Sequence, residues 1–325
     1  MMISLTEYYV TNYSRCRIDD SFLSSWQGLA YPAHFLQLKK STNVMKSIKG
    51  PLTISHFCIS MCDFTLCALA TPYYFLPHLA GFHVGILNVF SVPVQLQLLL
   101  ICLSIFAMLL SIIALFESRS SSILENRFRI GRRQTKIIYY SSNVFVQLIM
   151  VVLLFLKTPE DQEVAKLQIL ETLPCPTREF FTSPTFVITT DPQLTNYVFF
   201  WVAPLIVGSS FGQIVFHSSC CVFYLYISPS IRTSPHTRQL QKRYFMGLVL
   251  QSSVPLIVFA IPYFIACIAL LLDQFTQGMM NMLVIVFGFH GIAESISVIA
   301  VHKSYRQSLK QNFEPTSIPR NASAI

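Results

Sequence analysis

The chain has 325 residues, of which 53% are hydrophobic and only 12% are charged. Ordinary soluble domains carry about 25% charged residues, so a soluble globular protein that solvates its whole surface is excluded. The net charge of +8 would suit a nucleic-acid partner. In a membrane protein, however, basic residues gather in cytoplasmic loops, and we predict no binding to nucleic acid.

One segment lacks charged side chains over the length of two membrane spans. Between Asp63 and Glu117 there are 53 consecutive residues without Lys, Arg, Asp or Glu. A spanning helix needs roughly 20 mostly apolar residues, so this segment is long enough to cross a bilayer twice. Prolines and glycines concentrate at residues 71–85 and predict a turn between the two crossings. The chain is therefore predicted to be a polytopic membrane protein.

Apolar runs with few charges predict seven transmembrane helices in chain order. They cover residues 21–38, 52–76, 91–116, 137–156, 196–227, 244–272 and 279–301. The first span is weak because it is short and because polar or helix-breaking residues such as Pro32 and His34 interrupt it. The predicted fold class is an all-α membrane protein, a seven-transmembrane helix bundle over residues 21–301. A polar N-terminal segment, residues 1–20, precedes the bundle, and a short tail, residues 302–325, follows it.

The distribution of basic residues predicts the orientation of the chain. Of the 23 Lys and Arg residues, 18 fall after spans 1, 3 and 5 or in the tail. The other five are Arg15, Arg17, Lys157, Lys166 and Arg178. Basic residues collect on the cytoplasmic side of membrane proteins, so the N-terminus is predicted to be outside and the C-terminus to be cytoplasmic.

The longest connection between spans, residues 157–195, is acidic and is predicted to face outside. Two interpretations stay open: the loop folds over an outward-facing pocket, or it is solvated and touches no ligand. Cys175 in this loop and Cys16 near the N-terminus share the oxidising side and form a candidate disulfide. Asn12 begins an Asn-Tyr-Ser glycosylation sequon on the same side.

Several local strings are similar to those of a known receptor family. They are Met-Lys-Ser-Ile-Lys at 45–49, Thr-Pro-Tyr-Tyr-Phe-Leu-Pro-His-Leu-Ala-Gly-Phe-His-Val-Gly-Ile-Leu at 71–87, Pro-Glu-Asp-Gln-Glu at 159–163, Leu-Pro-Cys-Pro at 173–176, Thr-Arg-Gln-Leu-Gln-Lys-Arg at 237–243, His-Gly at 290–291 and Tyr-Arg at 305–306. Their order and their placement on the predicted topology make the set specific. From about Lys40 to Arg306 the chain resembles the nematode chemoreceptors called serpentine receptor class H.

The resemblance implies a chemosensory G-protein-coupled receptor rather than an enzyme. Such a receptor would bind a small environmental chemical in the outer half of the bundle, between spans 3, 5, 6 and 7, and would signal through a heterotrimeric G protein. The implied location is the plasma membrane, with sensory-neuron cilia as one expected site. A degenerate receptor that no longer signals and a membrane transporter are the alternatives that stay open. The chain has no phosphate-binding glycine loop, serine nucleophile elbow or metal box, and no cofactor is predicted.

Two acidic residues lie inside predicted spans, Asp63 in the second and Glu294 in the seventh. Buried acids in lipid normally face the bundle interior and find partners there. An imidazole, an amide and two prolines in the predicted sixth and seventh spans join these two acids as candidate switch residues. The full set is Asp63, Gln251, Pro255, Pro262, His290 and Glu294. Either they form a polar core with a proline hinge that rearranges on activation, or they are static structural positions.

The string Glu117-Ser-Arg119 follows the third span at its predicted cytoplasmic edge. It resembles a Glu-Asn-Arg string of the class H family, and an acid beside an Arg can hold an inactive state until the Arg engages a G protein. The candidate G-protein contacts are Arg119, Arg132, Arg133, Arg238, Lys242 and Arg243. The alternative is that these basic residues only hold anionic lipid.

Overall fold

The structure, a computed structural model, describes residues 46–155, 157–173, 178–228 and 234–288, together with residues 293 and 296. The predicted first span and the predicted tail lie outside the described residues. Within the described residues the protein is mostly helical. Its helices are α1 (Lys46–Phe64), α2 (Ile86–Val89), α3 (Val94–Ser122), α4 (Arg133–Phe155), α5 (Gln162–Thr172), α6 (Glu179–Thr182), α7 (Pro192–Tyr197), α8 (Ala203–Val222), α9 (Pro235–Leu271) and α10 (Gln277–Gly288).

Short π-helical segments continue or join some of these helices. Thr65–Leu69 extends α1, Val198–Val202 joins α7 to α8, and Phe223–Ile227 extends α8. Helices α1, α3, α4, α8, α9 and α10 therefore correspond, in this order, to the second to seventh predicted spans.

Three helical stretches among the described residues are long and apolar enough to cross a membrane. They are Gly50–Leu69, Val94–Ser122 and Pro192–Ile227. Two shorter apolar helical segments, Ile257–Leu271 and Gln277–Phe287, belong to the sixth and seventh predicted spans. The protein is thus a multi-pass membrane protein, as its composition predicts.

A small antiparallel sheet was not predicted by the all-α assignment. Its strands β1 (Pro72–Tyr74), β2 (Ala80–His83) and β3 (Phe186–Val187) lie in the order β1-β2-β3. The predicted second span, which ended at residue 76, was too long, because the helical backbone ends at Leu69 and β1 begins three residues later. The backbone N–H of Phe75 bonds the carbonyl oxygen of Ala80 at 2.9 Å, so this segment satisfies its polar groups as a hairpin.

The hairpin and the long loop pack together as one folded unit. We call this unit the cap and define it as residues 71–85, 157–173 and 178–190. Its core pairs the hairpin with α5 and α6: the ring centroids of Phe75 and Phe180 lie 5.1 Å apart, and Ala165 and Ile169 are buried in the same cluster. The described part of the loop is therefore folded against the hairpin instead of being freely solvated.

One side chain ties the loop to the sheet edge. Gln162 accepts a hydrogen bond from the backbone N–H of Val187 at 2.8 Å and donates to its carbonyl oxygen at 3.2 Å. The amide thus takes the place of a neighbouring strand for β3. Asp161 caps α5 by accepting hydrogen bonds from the backbone N–H groups of Glu163 and Val164.

Helix α3 lies at the centre of the transmembrane core. Ile112 and Ile113 are fully buried, and they share one apolar cluster with residues of α1, α8 and α9. The members from those helices include Ile59, Ile214 and Phe245. The start of α3 packs against the cap through Leu98, while its end carries Glu117. With a rise of 1.5 Å per residue, this helix separates the two ends of the bundle by roughly 40 Å.

Helix α9 continues through both prolines of the predicted hinge, Pro255 and Pro262. Ser234 caps its start by accepting a hydrogen bond from the backbone N–H of Thr237 at 3.2 Å, and Pro235 occupies the first turn, where its missing N–H costs nothing. The helix thus begins before the predicted span and carries Arg238, Lys242 and Arg243 on its first turns.

Candidate functional site at the basic end of the helix bundle

The end of the bundle opposite the cap gathers polar and basic side chains from several helices. We call it the basic end: the last turns of α3, the loop 123–132, the start of α4, the end of α8 with its π-helical extension, and the start of α9. Local hydrogen bonds fold the loop onto α3. The side-chain amide of the buried Asn126 donates to the carbonyl and hydroxyl oxygens of Ser120 at 3.0 and 2.7 Å. The side-chain oxygen of Asn126 accepts a hydrogen bond from the backbone N–H of Phe128.

Glu117 is the centre of this end, because its carboxylate is only 1% exposed and has three side-chain partners. Ser121 donates a hydrogen bond to Oε1 at 2.6 Å, and the hydroxyl of Tyr140 donates to Oε2 at 2.7 Å. The ammonium of Lys136 lies 3.2 Å from Oε1 and 3.3 Å from Oε2. We call these four residues the Glu117 cluster.

The cluster joins three consecutive parts of the chain, α3, the loop that follows it and α4. Glu117 and Ser121 lie on α3, and Lys136 and Tyr140 lie one turn apart on α4. Ser121 also accepts a hydrogen bond from the backbone N–H of Ile130 at 3.1 Å, which adds the loop. A buried carboxylate is costly unless a cation and further donors compensate it, and here both are present.

Arg119 contacts an aromatic ring and does not form the ion pair with Glu117 that the sequence suggests. Its guanidinium lies 5.7 Å from the ring centroid of Tyr244 on α9, while the carboxylate of Glu117 contacts Lys136 on α4. Lys242, which lies on α9 like Tyr244, makes a similar contact: its ammonium lies 4.3 Å from the ring centroid of Tyr226. Such cation–π contacts link α9 to α3 and to the extension of α8.

A second polar group lies beside the Glu117 cluster, between α4 and α8. The hydroxyl of Tyr139 donates to the side-chain oxygen of Gln213 and lies 3.4 Å from Nε2 of His217. The amide nitrogen of Gln213 donates to Asn143 at 2.9 Å. His217 is buried, with 3% exposure. Because Tyr139 and Tyr140 are consecutive, one turn of α4 serves both polar groups.

A groove with a volume of about 410 Å³ opens at this second polar group. Its polar lining comes from Tyr139, Ser209, Gln213 and His217. The remaining residues that line it are Phe128, Ile130, Gly212 and Phe216.

The predicted site residues fall in different places. Asp63 is half-buried in the last turn of α1, and Pro262 is half-buried on α9. Of the candidate G-protein contacts, three are exposed, and three are half-buried. The exposed residues are Arg132, Arg133 and Arg243, and the half-buried ones are Arg119, Arg238 and Lys242. His290, Glu294, Cys16, Cys175 and Asn12 lie outside the described residues.

Sequence reasoning identified Glu117 but missed its partners Ser121, Lys136 and Tyr140, and it missed the group formed by Tyr139 and Gln213. The only sequence signal was an aromatic pair at the entry of the fourth span. Such a pair is common at membrane interfaces and does not indicate a buried acid as its partner.

At the other end of the bundle, the cap holds a buried imidazole. His83 is 1% exposed, and its Nε2 lies 3.3 Å from the hydroxyl of Tyr74. The carbonyl oxygen of Tyr74 accepts a hydrogen bond from the side chain of Gln277 at 3.0 Å, which ties the cap to α10. Burial lowers the pKa of His83 to about 4, and burial also lowers the pKa of His78 in the same hairpin.

We expect the cap to lose stability as the pH falls from about 6.5 towards 4. A histidine whose pKa is lower in the folded than in the unfolded state leaves the folded state with fewer bound protons across this interval, so acid favours unfolding. Hydrogen–deuterium exchange of the β2 amides, corrected for intrinsic rates, should show less protection at pH 5 than at pH 7. His83→Gln should remove most of this difference, whereas His78→Gln should retain most of it. Equal protection at both pH values in the unmodified protein contradicts the prediction.

The fold and the charge distribution define a multi-pass helical membrane protein with a cap at one end and an ion-paired basic end at the other. The chain matches the family described as "Serpentine type 7TM GPCR chemoreceptor Srh" over residues 27–314, and it belongs to that family. Serpentine receptor class H-72 of Caenorhabditis elegans is 31% identical over 95% of this chain and 93% of its own length. No solved structure matches the chain. The resemblance seen in the short strings is confirmed, and it places the chain in a receptor family.

Proposed function

We propose that this protein is a chemosensory G-protein-coupled receptor of the plasma membrane, with sensory-neuron cilia as one expected location. It has seven spans, its N-terminus is outside and its C-terminus is cytoplasmic. It binds a small environmental chemical in the outer half of the bundle and signals through a heterotrimeric G protein. The observation that carries the proposal is the family match over residues 27–314, which extends across nearly all of the predicted spans.

The position of the cap supports a ligand site in the outer half of the bundle. Phe186 and Ile188 of the cap pack against Leu98 on α3, with Phe155 of α4 beside them. Gln277 of α10 bonds the hairpin. A ligand between spans 3, 5, 6 and 7 would therefore lie directly beneath the cap.

Gln97, in the first turn of α3 near the cap, is the ligand contact that we propose. It is fully buried, and its Nε2 donates to the carbonyl oxygen of Val92 at 2.8 Å. Its Oε1 is buried and has no hydrogen-bond partner among the described residues. Since an unpaired buried acceptor is costly, a ligand with a hydroxyl or amine donor would be stabilised here.

Signals leave through the basic end. The exposed Arg132, Arg133 and Arg243 contact the G protein, and Arg119 moves between Tyr244 and that partner. The Glu117 cluster holds the resting arrangement, because it ties α3, α4 and the loop to one buried carboxylate.

Residues in and around the spans complete the proposal. Asp63, Gln251, His290 and Glu294 form a polar core, and Pro255 and Pro262 act as a hinge of span 6. Cys16 and Cys175 form a disulfide outside the cell, and Asn12 is glycosylated there.

Epitope tags at the two termini test the topology on which this function depends. An antibody should label the N-terminal tag on intact cells and the C-terminal tag only after permeabilisation. If both tags need permeabilisation although surface biotinylation shows delivery, the chain crosses the membrane an even number of times and the proposal fails. Retention of the whole chain inside the cell supports the degenerate-receptor alternative.

A panel of small volatile and water-soluble chemicals, read with a G-protein dissociation sensor, tests the signalling. We expect at least one chemical to activate the sensor only in cells that express the receptor. Gln97→Leu removes the unpaired acceptor but also the donor to the carbonyl oxygen of Val92, so its response is normalised to the amount of receptor at the surface, and the normalised response should be weaker. Ion flux or uptake of the chemical without a G-protein response favours the transporter alternative.

A further inference from the structure

The groove between α4 and α8 has exposed apolar side chains in its walls and around it. Its walls include Phe128 and Phe216, whose ring centroids lie 5.5 Å apart and whose side chains are 58% and 45% exposed. Large apolar side chains next to it on the same helices, among them Ile138 and Val215, are exposed as well. In a bilayer these exposed apolar surfaces face acyl chains.

Polar groups nevertheless line the floor of this groove. Ser209, Gln213 and His217 follow one another at four-residue spacing on α8, and Tyr139 faces them from α4. Polar side chains at a lipid-facing surface are costly unless they bond one another, as Tyr139 and Gln213 do, or the adjoining molecule offers hydrogen-bonding groups of its own. The ester and glycerol oxygens of a phospholipid lie at the boundary between head group and acyl chains and supply such groups.

Positive charge is concentrated in the chain around Phe128, one of the residues that line the groove. Arg127 and Arg129 flank Phe128 in the chain, and both are exposed. Arg132 and Arg133 follow within the same loop and the first turn of α4, and they are exposed too. No acidic side chain is among the residues that line the groove. The charge therefore complements an anionic head group and disfavours a neutral one.

We propose that this groove is a binding site for an anionic phospholipid. One acyl chain lies along the touching ring pair of Phe128 and Phe216, the glycerol region meets Tyr139 and Gln213, and the head group pairs with Arg127 and Arg129. The lipid contacts Tyr139 directly, and the next residue, Tyr140, bonds Glu117. Occupancy of the groove therefore supports the geometry of the Glu117 cluster. The site is independent of the chemical that the receptor senses.

Two glycines on α8 provide a matched pair of variants. A Cβ added at Gly212 meets nothing within 4 Å, so a larger side chain is accommodated, and it projects into the groove that Gly212 lines. A Cβ added at Gly208, one turn away, also meets nothing within 4 Å, but Gly208 does not line the groove. Gly212→Leu thus fills the site, and Gly208→Leu controls for added bulk on the same face.

The test uses the full chain in nanodiscs that contain phosphatidylserine with a photoreactive acyl chain. Labelling mapped to peptides around Phe128 and Phe216 should fall about tenfold in Gly212→Leu and in the double variant Arg127→Gln/Arg129→Gln, and it should be unchanged in Gly208→Leu. A phosphatidylcholine probe with the same acyl chain should label these peptides much less. If Gly212→Leu does not yield monodisperse protein, the double arginine variant alone decides, since its changes are confined to exposed side chains.

Three outcomes overturn the proposal. Equal labelling by the two probes shows an unspecific boundary lipid, and equal labelling of all variants shows that the groove is not the site. The Gly208 and Gly212 pair could also serve contact between two copies of the chain. If both glycine variants reduce a cross-linked dimer while lipid labelling stays constant, the groove is a subunit contact.

Discussion

Replacing Glu117 with glutamine is expected to raise signalling in the absence of ligand. The change keeps the size of the side chain but removes the charge that pairs with Lys136 and that strengthens the bonds from Ser121 and Tyr140. Hydrogen bonds to charged groups contribute about 1.5–3 kcal/mol each, and a shift of about 1.4 kcal/mol changes an equilibrium tenfold. A G-protein dissociation sensor, normalised to surface receptor, should therefore report roughly tenfold higher basal activity.

Two adjacent serines provide the control for this result. Ser121→Ala removes a bond to Glu117 and should raise basal activity in the same direction, by a smaller factor. Ser122→Ala should have no effect, because the exposed Ser122 hydroxyl bonds only the carbonyl oxygen of Arg119 within its own helix. If Glu117→Gln reaches the surface and its basal activity equals that of the unmodified receptor, the cluster does not hold the resting state.

Replacing Gly85 with alanine is expected to prevent delivery of the receptor to the surface. A Cβ at this position would overlap the carbonyl oxygen of Leu69 and would lie only 2.5 Å from the carbon of that carbonyl and 2.7 Å from the backbone nitrogen of Ala70. The obstacle is backbone at the end of the π-helical segment, which cannot move like a flexible side chain. The cap and α1 must separate, and the cost is expected at or above the upper end of the usual range for overpacking, about 1–3 kcal/mol. Surface biotinylation measures the loss.

Gly208→Ala is the matched control for Gly85→Ala. It introduces the same methyl group into open space on α8, and its surface level should equal that of the unmodified receptor. Normal surface delivery of Gly85→Ala, with unchanged protection of the cap amides against hydrogen exchange, would show that the close approach of Gly85 to Leu69 is not required.

For the cap, the sequence predicted a turn but not the strands on either side of it. The prolines and glycines of residues 71–85 predicted a turn there, and the turn is present as a β-hairpin. The strands themselves were not predicted, because their aromatic residues Tyr73 and Phe82 are as apolar as the neighbouring span. The third strand, which pairs with β2, begins at Phe186, about a hundred residues later, and no local sequence pattern indicates that pairing.

At the basic end, the sequence identified Glu117 as a candidate residue but suggested the wrong partner for it. A charged residue at the end of an apolar span is visible in any hydropathy pattern, so Glu117 could be singled out from the sequence. Its neighbour Arg119 was the natural partner by proximity in the chain. Residues two apart on a helix point in different directions, however, whereas Lys136 and Tyr140 reach Glu117 from the facing helix.

The sequence by itself determined that this protein is a multi-pass membrane protein and a class H serpentine receptor. Membrane insertion depends on transfer free energies that add along a local segment, and family membership depends on residues in a linear order. Only the tertiary structure decided the partners of Glu117, the joining of the hairpin to the long loop, and the groove between α4 and α8. The groove and the joining of the hairpin to the long loop depend on side chains from segments distant in the chain, and the partners of Glu117 depend on how α3 and α4 face each other. None of these contacts has a period or a composition that can be read along the sequence.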